Sequence, residues 1–361
     1  MKEVEEVKGY AYSFQKPKVT AQLKAYYDRL GARSIAPLWE VLGDVITASP
    51  KTACVPAIWR YDEVRPLLME AGDLIPAEEA ERRALMLQNP ALGGQPWITT
   101  SLYAAMQLVQ PGEVARAHRH TASALRFVLE NDGDGYTSVD GERSTMRPGD
   151  FVLTPAWTFH DHGNPGDKPI IWMDGLDIPI INMLGLNFAE LWPEETFPVS
   201  KNEGDALARY GNNLLPVEYS ASSMTAPIFN YPYVRSREVL EELYKNGPIH
   251  ECHGVKLQYV NPATGGYPMP AIAGFIQLLP PGFKGAPYRS TDGTVLCPTE
   301  GSGRTTVGDV TFDWNPRDVF VVPTWYPVKH ETEKGAVLFS FSDRAVQKAL
   351  GLWREEAPVR L

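Results

Sequence analysis

An internal repeat constrains this chain more than any other feature. Gly133, Gly135, Thr137, Val139, Pro148, Asp150, Pro155 and Trp157 recur 168 residues later as Gly301, Gly303, Thr305, Val307, Pro316, Asp318, Pro323 and Trp325. Upstream, Pro111-Gly112 corresponds to Pro281-Gly282, displaced by a small insertion. The identities fall at turns and strand starts, where backbone geometry dictates the residue, so one supersecondary unit is used twice. Short apolar runs (Leu102–Leu108, Arg126–Leu129, Gly135–Val139, Asp150–Thr154, Ile170–Met173) alternate with Gly, Pro and Asp turns. Strands of this length and spacing point to an antiparallel barrel or sandwich. The fold class is mainly β.

The start of the chain has a different texture. Leu23, Tyr26, Tyr27 and Leu30 give Lys18 to Ile46 a helical pattern, with Gly31 as a stop. A second helical stretch covers Arg60 to Ala71, and a third begins near Ala77 and runs through Glu81, Arg82 and Arg83 to Leu85. The expected organisation is a helical arm over 1–95, a first barrel over 96–186, a connecting region over 187–255 and a second barrel over 256–361.

Bulk properties exclude several classes. A formal net charge of -10 argues against a nucleic-acid binder, although a small anionic substrate is still compatible with local arginines. Cys54, Cys252 and Cys297 are widely spaced and odd in number, which fits a reducing cytoplasm better than a disulfide framework or zinc ribbon. The stretch Met1-Lys2-Glu3-Val4-Glu5-Glu6 is charged and no run approaches a membrane span, so a cytoplasmic protein without membrane contact is expected.

Four of the seven histidines sit in two short segments, His118-Arg119-His120 and His160-Asp161-His162. Side chains two apart on a strand share a face, so His118 and His120 can aim into one barrel while His160 completes a triangle from a neighbouring strand. An isolated HxH is more often a surface pair or a hydrogen-bonded core pair. The repeat is chemically asymmetric. Over His118-Arg119-His120 the second copy reads Tyr288-Arg289-Ser290, and over His160 it reads Val328. That copy is expected to be structural or an oligomer surface, and Arg119, which recurs as Arg289, to be structural as well.

The surroundings give these histidines a context. Gly112, five residues, then His118-Arg119-His120 resembles the first motif of the cupin superfamily. Gly149, five residues, then Pro155-Ala156-Trp157, His160 and Asn164 resembles the second, with tryptophan where glycine is usual. Two motifs plus a degenerate second copy resemble a bicupin, two double-stranded β-helix (jelly-roll) barrels. The usual glutamate ligand would fall near Ala124 or Leu125, and neither can coordinate. Three neutral imidazoles suit a borderline divalent ion such as Fe(II) or Zn(II). They leave its charge for an anionic, chelating substrate to neutralise, with room for dioxygen.

Longer segments resemble the gentisate 1,2-dioxygenase family, which includes enzymes that open salicylates and 1-hydroxy-2-naphthoate. They are Ile35–Gly43, Leu102–Gln107, Pro111–Glu113, His118–Phe127, His160–Asn164, Trp172–Asp177 and Phe320–Trp325. The resemblance implies a homo-oligomer, such as a homotetramer, that uses Fe(II) and O₂ to cleave an aromatic hydroxy-acid between C1 and C2. Gentisate to maleylpyruvate is the foremost reaction. It also implies that His118, His120 and His160 hold Fe(II), and that Arg82, Tyr103, Gln107 and Arg126 line the substrate pocket. His162 would handle a proton or steady oxygen, and Asp174 would orient a histidine or a substrate hydroxyl.

Simpler roles compete: Arg82 in a solvated salt bridge on a charged helix, Asp174 in a turn, Tyr103 in the core. Burial of Arg126 without an anion would be costly, which favours a functional role. Alternatives for the whole protein are a substituted salicylate or hydroxynaphthoate as substrate, a zinc isomerase or hydrolase, and a small-molecule-binding cupin.

Overall fold

The computed structural model describes residues 17–220 and 223–359, and the charged stretch Met1–Glu6 lies outside them. Met1–Lys51 and Thr52–Leu361 form two compact units. In the first, helices span Ala21–Gly31 and Leu38–Val45. Thr20 caps the former by accepting from the Leu23 amide at 3.1 Å. Tyr27 ties the two together, donating to Glu40 at 2.7 Å and accepting from Trp39 at 2.9 Å. The first of the two ends at Gly31, the stop expected within the helical pattern over 18–46.

The second unit holds two β barrels. In the first, a six-stranded sheet runs Asn230–Tyr231, Phe151–Thr154, Ala124–Glu130, Ile170–Leu176, Tyr103–Val109, Arg83–Met86. It faces a five-stranded sheet of Ala189–Leu191, Val114–His120, His160–Gly163, Tyr136–Val139 and Glu142–Thr145. In the second barrel the six-stranded sheet runs Ala57–Trp59, Val319–Val322, Thr294–Gly301, Ala336–Ser342, Ala273–Leu279, Val255–Gln258. Its companion is the three-stranded sheet Val310–Trp314, Gly303–Val307, Val328–Glu331.

Each barrel borrows an edge strand from chain that precedes the other. Ala57–Trp59 pairs with Val319–Val322, and Asn230–Tyr231 with Phe151–Thr154. Behind each borrowed strand is a helix, Tyr61–Leu74 or Tyr233–Asn246, whose first amide is held by a repeat aspartate. Asp318 accepts from Tyr61 and Asp150 from Tyr233, both at 2.8 Å. These two aspartates recur because each satisfies a helix-start donor.

The main core lies between the six-stranded sheets. Along Tyr103–Val109, Met106 and Leu108 join it while Val109 packs inside the first barrel, the two-residue alternation of a strand. Phe127 and Phe339, from opposite barrels, stack with centroids 4.1 Å apart.

The third helical stretch is a correction. Only Ala77–Ala80 is helical, and Arg83–Met86 is a strand paired with Tyr103–Val109. The run of Ala, Glu and Arg has high helix propensity, but burying Arg83 and completing the sheet edge overrides it. Arg82 therefore sits at a strand start and not on a charged helix.

Arg119 is structural, as expected. It pairs with Glu190 and lies 4.4 Å over the Trp157 ring, and Arg289 pairs with Glu356 and lies 4.7 Å over Trp325. Both tryptophans have positive φ, 59° and 66°, the region that makes glycine usual at this place. The stacked guanidinium, worth about 1 kcal/mol, helps offset that cost. The fold is a bicupin.

Candidate metal centre

Strand register builds the centre. His118 lies directly opposite His160, and His120 shares the face of His118 two residues on. Ring centroids are 4.2 Å apart for His118 and His160, 5.0 Å for His120 and His160, and 5.3 Å for His118 and His120. One ring nitrogen from each lies within 4.8 Å of the other two. Ala124 and Leu125 are buried and apolar, and among the described residues no carboxylate joins the group.

Backbone carbonyls select the donor atoms. Nδ1 of His118 meets Arg116 O at 3.2 Å, that of His120 meets Ala122 O at 2.7 Å, and that of His160 meets Thr158 O at 2.9 Å. A carbonyl only accepts, so Nδ1 of His120 and of His160 carries the proton and their Nε2 keeps its lone pair, while Nδ1 of His118 also meets the Arg82 guanidinium. Nε2 of His160 is buried without a partner. Burial holds His118 down to about 2 and His120 down to about 4, with Arg82 adding to the effect at His118 and Arg126 at His120. The imidazoles are neutral at physiological pH, as metal ligation requires. An orphaned donor and three neutral nitrogens fit a divalent ion.

His162 differs in its partner. Its Nδ1 lies 2.9 Å from Thr137 Oγ1, and that hydroxyl gives its proton to Met146 Sδ at 3.2 Å. Thr137 thereby pairs His162 Nδ1 and fixes the orientation of the ring. Burial, reinforced by Arg126 and Arg82, keeps His162 well below the usual histidine range.

The remaining predicted residues share the interior face of the six-stranded sheet. Arg126 and Asp174 are directly paired across strands, with Arg126 Nε 3.7 Å from the carboxylate. Arg126 Nη1 donates to Thr154 at 2.5 Å, while its Nε is buried without a hydrogen-bond partner. Burial lowers this guanidinium to about 10, against the pull of Asp174, and raises Asp174 to about 6, against the pull of Arg126. Asp174 accepts from the Trp172 indole at 2.9 Å, so it positions Arg126 and Trp172 and makes no hydrogen bond to a histidine among the described residues. Gln107 is buried with its Nε2 unpartnered. Tyr103 packs against Ala122, Ala124 and Leu176. Arg82 donates to Arg116 O at 2.9 Å and lies against the ring of His118, in contact with Nδ1 and 3.2 Å from Nε2.

Three supporting residues were not singled out for the site from sequence: Thr154 under Arg126, Trp172 on Asp174, and Thr137 on His162. Thr137 carried a signal as a member of the repeat, and Trp172 as the first residue of a family-like segment.

Comparisons with known proteins agree with this geometry. Residues 105–178 match the family model for a cupin domain. The chain is 54% identical over 341 residues to gentisate 1,2 dioxygenase 1 of Aquipseudomonas alcaligenes, covering 94% of this chain and 98% of that protein. The chain belongs to the gentisate 1,2-dioxygenase family. Within this family of dioxygenases, it is also 35% identical to the 5-aminosalicylate 1,2-dioxygenase of Comamonas sp, over 93% of this chain and 90% of that one. The crystal structure of salicylate 1,2-dioxygenase from Pseudoaminobacter salicylatoxidans with gentisate superposes with a TM-score of 0.89. The identity there is 34%, over 95% of this chain and 96% of the other. Among the described residues, no helix is long and apolar enough to cross a membrane.

Proposed function

We propose that this chain is an Fe(II)-dependent dioxygenase that opens gentisate between C1 and C2 to give maleylpyruvate. The observation that carries the reading is the pairing of a three-histidine, carboxylate-free centre with a buried arginine whose Nε has no hydrogen-bond partner. The 54%-identical relative named for gentisate supports the choice of ring. His118, His120 and His160 would hold the ion through ring nitrogens, and Fe(II) bound there would supply the redox chemistry between dioxygen and the ring.

The chain's own groups do the rest. Arg126, fixed by Thr154 and Asp174, offers its Nε–H to the substrate carboxylate in a dry environment where such a bond is strong. Gln107 and Tyr103 limit the ring's position from the adjacent strand. Arg82, held by the Arg116 carbonyl beside the His118 ring, adds a second cation to the substrate pocket. His162 accepts the phenolic proton, and Thr137 holds the ring in place for it. A cytoplasmic homo-oligomer belongs to the same proposal.

The test is product identification with labelled dioxygen. Iron-loaded protein given gentisate and ¹⁸O₂ should form a ring-opened acid carrying both labelled atoms. Turnover of 5-substituted salicylates or 1-hydroxy-2-naphthoate in preference to gentisate would reassign the substrate. Ring opening of none would reject the reading.

A further inference from the structure

The second barrel has lost the histidine ligands, yet its interior is not apolar. Lys256 lies directly opposite Gln277 in register, and Gln277 occupies the place in Ala273–Leu279 that Gln107 has in Tyr103–Val109. Ile276 and Leu278 belong to the core between the barrels, so Gln277 turns into the lumen. Phe339 and Phe341 belong to that same core, so Ser340 also turns inward. Lys256 Nζ lies 5.0 Å from the Phe275 ring centroid and 6.0 Å from that of Tyr288. His330 meets Thr305 at 2.8 Å, the counterpart of His162 and Thr137. The frame of the first site is kept, with Lys256 as its cation.

Among the described residues, Lys256 is left without a direct counter-ion. The nearby carboxylates are engaged by Arg344, at 3.1 Å for Asp292 and 3.9 Å for Glu355, and Asp292 also accepts from Trp353 at 2.9 Å. Lys256 itself has no hydrogen bond or ion pair among the described residues; its contacts are the two rings. Burial and Arg344 push its ammonium down to about 8. Gln277 Oε1 and Ser340 Oγ are buried without partners. An unpaired ammonium and orphaned polar atoms are each costly in such an interior. Together they describe a ligand with two ends. An anionic oxygen would accept from Lys256 and the Ser340 hydroxyl, and an O–H would donate to Gln277 Oε1.

We propose that the lumen of the second barrel binds a small oxyanion that carries its own O–H donor, hydrogencarbonate or a short hydroxy-carboxylate, through Lys256, Ser340 and Gln277. Acetate has the anionic end but not the donor, so it leaves Gln277 Oε1 unsatisfied.

Calorimetric titration of the iron-loaded full chain near neutral pH tests this, with hydrogencarbonate, glycolate and acetate as probes. Wild-type protein should bind hydrogencarbonate or glycolate saturably and acetate roughly tenfold more weakly, and whichever of the first two saturates identifies the source. Lys256→Met should weaken binding by about tenfold or more, the scale of a lost hydrogen bond to a charged group. Arg126→Met should not. Ser340→Ala, a smaller change, should weaken binding in the same direction and guards against misfolding of the lysine variant. Absence of saturable binding, undiminished binding in folded Lys256→Met, or loss only in Arg126→Met would overturn the proposal.

Discussion

His118 and His160 face each other in antiparallel register, their ring centroids 4.2 Å apart. One strand pairing therefore sets two of the three nitrogens of the centre. His120→Ala should abolish metal binding, while Ser290→Ala, at the matching place in the second barrel, should leave it intact. Metal content after reconstitution and desalting checks both.

Arg126 is the substrate anchor in this account. Arg126→Leu should raise KM for the hydroxy-acid and lower kcat/KM by about 100-fold, as expected for a lost charge-assisted bond in a buried site. Steady-state kinetics together with retained iron content separates this from loss of the metal. A KM left unchanged would place the carboxylate elsewhere.

Asp174 would act through Arg126. Asp174→Asn should raise KM more than it lowers kcat and leave iron content unchanged, since Asp174 touches Arg126 and Trp172 but no ligand. A collapse of kcat at constant KM would instead mean a direct part in the chemistry.

Asp177 gives a pH prediction with a definite sign. It accepts from the Ser123 amide at 2.8 Å, and burial raises it to about 6. A carboxyl whose folded value exceeds its unfolded value of about 3.9 contributes stability that is full below that pH and is lost as pH rises through about 6. Asp177→Asn keeps an accepting oxygen and cannot ionise. Its stability relative to wild type, read from melting temperature, should rise between pH 5 and pH 8 by about 1.4 kcal/mol. A difference flat with pH would contradict this.

Much of the centre was legible because it depends on period alone. His118 and His120 are two apart on a strand, and the second cupin-like motif places His160 beside them. The eight repeat identities marked real structure, since Asp150 and Asp318 hold helix starts and Thr137 and Thr305 hold histidines. Other relationships were hidden for physical reasons. The Tyr61 and Tyr233 helices and the Arg65–Glu130 and Arg237–Glu300 pairs match across the barrels, but insertions shift their spacing away from 168. Arg83–Met86 reads as helix because local propensity cannot register a sheet edge waiting for a partner. Thr154 and Trp172 gain meaning only once register sets them beside Arg126 and Asp174.

The central claim is that one histidine centre per chain, in the first barrel, couples dioxygen to opening of an anionic aromatic ring. Oxygen uptake measured against gentisate consumed, on protein purified anaerobically and loaded with Fe(II), tests it most directly. The account predicts equimolar consumption of dioxygen and gentisate, abolished by chelation and by His160→Ala. Gentisate loss without oxygen uptake, or uptake that persists in His160→Ala, would contradict it.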